Sequence, residues 1–99
     1  MPRKMPLKVY SWTGHRRECP NLHRQTTEIV AATSQKAAAA TVGETPGRLF
    51  NLREVMPSNE FQTEKYNKAL SEPGVVFWRP LDTGRAGGEW TRVEPKVKP

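Results

Sequence analysis

Ninety-nine residues with 35% hydrophobic side chains allow one compact domain. No apolar run approaches the roughly 20 residues that cross a bilayer, so a membrane partner is excluded and a cytoplasmic location expected. Sixteen Lys and Arg against ten Asp and Glu give a net charge of +6, and the lone Cys19 cannot close an intramolecular disulfide.

The charge is unevenly spread. Arg3, Lys4, Lys8, Arg16, Arg17 and Arg24 face only Glu18 before residue 25, whereas the rest of the chain nearly balances. Residues 1–7 read as a basic arm and 95–99 as a tail, each rich in proline and poor in groups to bury, flanking a domain over 8–94.

Within that domain, Lys8 to Thr13 alternates as a strand with Tyr10 and Trp12 on one face. Thr26 to Ala32 makes a second strand, and the basic segment His15 to Gln25 joins the two as an elongated hairpin loop. Thr33 or Ser34 caps a short alanine-rich helix over 35–42, after which Gly43 takes a left-handed turn. A second helix runs from Asn59 to Leu70, capped by Asn59, with Glu64 pairing to Lys68 and Phe61, Tyr66, Ala69 and Leu70 forming its buried stripe. Val75 to Arg79 is the most strand-prone segment, apolar on both faces, and Glu89 to Val93 follows a glycine-rich turn to close the fold.

The middle segment admits two readings. Thr45-Pro46 followed by Leu49 and Leu52 fits a helix, and with Gly43 between the helices the stretch 34–53 resembles a helix-turn-helix. Gly47 weakens that helix, and Arg48 to Leu52 fits equally well as a short strand. The resulting order is β-β-α-(α/β)-α-β-β. It predicts an α+β domain, with an antiparallel sheet of about four strands and two or three helices packed on one face.

For chemistry, the candidates are mostly cationic. Lys8, Arg16, Arg17 and Arg24 on the hairpin offer phosphate partners, with Tyr10, Trp12, His15 and His23 interleaved as stacking faces. In the helical reading Arg48 and Asn51 point outward together, side chains suited to guanine and adenine edges, while Arg53 meets phosphate. His15, Cys19 and His23 recur every four residues, but Pro20 interrupts a helix there and a fourth ligand is lacking, so no metal is expected. No cofactor is expected either, because Gly84, Gly87 and Gly88 lack the lysine and helix of a phosphate-cradling loop. With no carboxylate pairing suited to acid–base work, the chain reads as a non-enzyme.

Thr27-Glu28-Ile29-Val30-Ala31-Ala32-Thr33-Ser34 before the alanine-rich helix, Leu49-Phe50-Asn51-Leu52, and Glu72 through Leu81 together resemble small accessory proteins encoded by actinobacterial phages. The resemblance spans roughly Lys8 to Trp90. That family has no established activity. The resemblance therefore implies a setting, the cytoplasm of an infected bacterium, and transfers no functional residue. Two functions are expected: a DNA- or RNA-binding accessory, or a module that engages a host bacterial protein through Leu49-Phe50 or Trp90. A homodimer is a further expectation for so small a domain.

Overall fold

The computed structural model describes residues 7–17, 24–81 and 90–93. The arm over 1–6, Cys19 and His23 in the hairpin loop, the glycine-rich turn and the last six residues lie outside that set. The chain forms an α+β domain around one antiparallel sheet of five strands. In chain order these are β1 (Lys8–His15), β2 (Gln25–Ala32), β3 (Phe50–Val55), β4 (Phe77–Pro80) and β5 (Thr91–Arg92). Their spatial order is β3-β1-β2-β4-β5, which sets the β1–β2 hairpin at the centre. The described residues also form two α-helices, α1 (Gln35–Ala40) and α2 (Glu60–Ser71).

Both helix starts follow their caps. The Ser34 hydroxyl accepts from the Ala37 N–H at 3.1 Å, and the Asn59 side chain accepts from the Gln62 N–H at 2.9 Å. Each side chain satisfies an amide that the first helical turn leaves without a partner. Gly43 takes the expected left-handed conformation, with φ of 73°, and Gly74 adopts it as well, with φ of 82°.

The helices pack on opposite faces, not on one. Alternation along β1 and β2 sends Val9, Ile29 and Ala31 to one side and Tyr10, Val30 and Ala32 to the other. Ala69, Tyr66 and Leu70 of α2 cover the first set; Ala37 and Ala38 of α1 cover the second. Central strands apolar on both faces require two covering layers, because a single layer would leave one row wet. Trp12 and Trp78 are buried on the α1 side, and Trp90 packs against the α2 side.

The helix-turn-helix reading does not hold. Pro46–Arg48 makes one 3-10 turn, Leu49 is already extended, and residues 50–55 form β3 on the sheet edge. Asn51 adopts a left-handed φ of 59° where the β1–β3 register shifts opposite Trp12. This is a β-bulge occupied by one of the few residue types that tolerate that conformation. In α2 the expected Glu64–Lys68 pair is also replaced: Glu64 bonds Arg79, and the Lys68 ammonium sits 4.7 Å over the Phe77 ring.

Candidate anion-binding cleft

Charged groups concentrate where the β1–β2 hairpin leaves the sheet, and the two faces treat them differently. On the α1 side, Glu28 is buried at 3% exposure beside Trp78 in the sheet register. Its carboxylate accepts from Arg16 Nε at 2.8 Å, from a terminal Arg16 nitrogen at 2.9 Å and from the Thr26 hydroxyl at 2.7 Å. Gly14 makes the space: a Cβ there would meet Glu28 Oε2 at 2.5 Å and Thr26 Oγ1 at 2.8 Å. Arg16 is thus committed to an internal carboxylate, which satisfies a charge that would otherwise be buried alone.

On the α2 side the same end of the sheet opens into a cleft of about 290 Å³. Its floor is hydroxyl-rich, because Ser11, Thr13 and Thr27 share the strand parity that faces α2. Arg53 rises from the edge strand β3, Arg79 from β4, and Lys65 from the second turn of α2, with Phe61 at 41% exposure on the same helix face.

Arg79 is held in place by Glu64 Oε1 at 2.8 Å and lies 4.4 Å over the Trp90 ring. Arg53 and Lys65 form no ion pair among the described residues. Burial, then the fields of Arg79 and Arg53, hold the Lys65 ammonium below the ordinary lysine pKa, and Glu64 only partly opposes them. Burial is the larger cause, and the two guanidinium fields add to it in the same direction.

The predicted site residues divide accordingly. Asn51 and Arg53 line the cleft. Arg48 sits in the 3-10 turn beside a separate, more open hollow on the α1 side, so it does not join Asn51 in one reading surface. Arg17 and Arg24 are exposed at the hairpin end, where a guanidinium N–H of Arg24 donates to the Arg17 carbonyl at 2.9 Å. Lys8 lies at the far end of β1, 3.9 Å from Glu54.

Lys65, Arg79 and Phe61 are members of the cleft that the sequence reading missed. Helical spacing relates Phe61, Gln62 and Lys65, and strand parity relates Arg79 to Phe77; those are the signals that place them. No described helix is long and apolar enough to cross a membrane, and no group of three metal-capable side chains occurs among the described residues. The chain matches no family model, no characterised protein and no solved structure.

Proposed function

We propose that the protein is a non-enzymatic nucleic-acid-binding accessory that takes the sugar-phosphate backbone at the hairpin end of its sheet. The observation behind this reading is the set of cations there with no ion pair among the described residues: Arg17, Arg24, Arg48, Arg53 and Lys65. Among the described residues the carboxylates without an ion pair, Glu44 and Glu60, are fewer. Such an excess attracts phosphates without selecting a sequence.

Exposed aromatics beside the cations favour single strands, because unpaired bases stack on flat rings; Phe50 is 67% exposed and Phe61 41%. The phage setting implied by the sequence resemblance agrees with such a role. Fluorescence anisotropy on labelled single- and double-stranded DNA and RNA across a salt series tests it. Replacing Arg17, Arg24 and Arg53 together by Gln should weaken binding to every sequence and flatten the log–log salt slope for single strands by about two. Absence of binding to all four probes at low salt would remove the reading.

The exposure of Phe50 on an edge strand favours one second reading, a module that engages a host bacterial protein. Capture from bacterial lysate that stays stoichiometric after nuclease and high salt, and is lost in Phe50→Ala, selects it over the first.

A further inference from the structure

We infer that the cleft between α2 and the sheet is a discrete site for one phosphomonoester-bearing nucleotide, supplied as a free mononucleotide or as the 5′-phosphorylated end of a single strand. The inference rests on the nucleic-acid reading for the second source only.

Size sets the first limit. A cleft of about 290 Å³ lies at the small end of ligand pockets and admits one nucleotide unit, whereas a duplex cannot enter.

Charge sets the second. Among the described residues Arg53, Lys65 and Arg79 line the cleft and Glu64, bonded to Arg79, is the carboxylate that opposes them, a balance of two positive charges. Two charges match a terminal phosphate at neutral pH better than a backbone diester or a carboxylate, each of which brings one. Donors are also arranged for tetrahedral oxygens: the hydroxyls of Ser11, Thr13 and Thr27 lie on the floor, and guanidinium groups stand at two walls.

The third limit is the rim. Phe61 presents a partly exposed ring on the helix that holds Lys65, and the Asn51 and Gln62 amides lie within the same lining. A nucleobase can stack on that ring while its phosphate reaches the cations. The hollow on the α1 side lacks this charge excess, because Glu28 occupies Arg16 and a second carboxylate, Glu44, lines it together with Arg48.

Titration calorimetry with AMP, inorganic phosphate and adenosine, together with anisotropy on matched 5′-phosphorylated and 5′-hydroxyl single strands, tests the site. AMP should bind, inorganic phosphate should bind more weakly, and adenosine should not bind. Arg53→Gln and Lys65→Gln should each weaken AMP about tenfold, the loss of one charge-assisted contact, with unchanged circular dichroism. Phe61→Ala should erase the advantage of AMP over inorganic phosphate.

A preference for the 5′-phosphorylated strand identifies a strand end as the ligand. AMP binding without oligonucleotide binding identifies the free nucleotide and removes the nucleic-acid reading. Oligonucleotide binding without AMP binding, and with no preference for the phosphorylated end, overturns this inference while leaving that reading in place. Adenosine binding as tightly as AMP also overturns it.

Discussion

The α1 and α2 sides of the hairpin end hold arginines of the same chemistry in opposite circumstances. Arg16 meets a buried carboxylate held by a threonine hydroxyl and accommodated by a glycine. Arg53 meets no carboxylate among the described residues, and its neighbours Lys65 and Arg79 add to its field. Residue type does not decide whether a cation supports the fold or faces a ligand. A buried anion within reach does, because only that anion makes the cation's removal costly to the folded state.

Substitutions should separate the two sides, and the largest effect belongs to Arg16→Ala. It strands Glu28 without its charged partner and should lower unfolding free energy by about 3 kcal/mol in urea titrations. A loss below about 0.5 kcal/mol, the scale of an ordinary surface change, would return Arg16 to the ligand-binding set. Next is Gly14→Ala, whose new Cβ crowds the Glu28 carboxylate and should cost about 2 kcal/mol by thermal melting. In a Glu28→Ala background the same change should cost far less, a coupling that a double-mutant cycle reads directly.

Arg53→Gln should leave stability within about 0.5 kcal/mol of the parent while it weakens anion binding, the reverse of the Arg16 result. The smallest effect is on pH dependence. A lysine whose folded-state pKa lies below the ordinary 10.5 holds fewer protons folded than unfolded over that interval. Stability should therefore rise as pH climbs from the folded pKa toward 10.5, and Lys65→Met should flatten that rise. Burial is the main cause of the shift, Arg79 and Arg53 add to it, and Glu64 opposes it. A bound phosphate should oppose it, so AMP binding near the folded pKa should take up protons, measurable by calorimetry in buffers of different ionisation enthalpy.

Much of the fold was legible in local chemistry. The alternation of β1 and β2, the Asn59 cap and the left-handed Gly43 follow from short-range preferences, and all appear. Residues 45–53 misled for a geometric reason. In an unbroken strand Leu49 and Leu52 would point to opposite faces, but the bulge at Asn51 resets the alternation, and both pack on the α1-side core. Their separation by three residues thereby imitates a helix.

The second covering layer was also written in the chain, since Val9-Tyr10, Ile29-Val30 and Val76-Phe77 place large apolar groups on both faces. The candidate site was only half legible. Asn51 and Arg53 were legible as candidates, though with Asn51 paired to Arg48 on a helix that does not form, and Arg79 and Lys65 join them only through tertiary packing. The Arg16–Glu28 pair spans 12 positions across the hairpin and leaves no local trace.

The bulged rim of the sheet has one more effect. A straight outer strand would offer its free amides and carbonyls to any neighbouring molecule and invite fibre growth. The bulge at Asn51 interrupts the β3 ladder, and β5 on the opposite flank has two residues in ladder geometry among those described. The bulge therefore limits the length of regular edge beside the exposed Phe50.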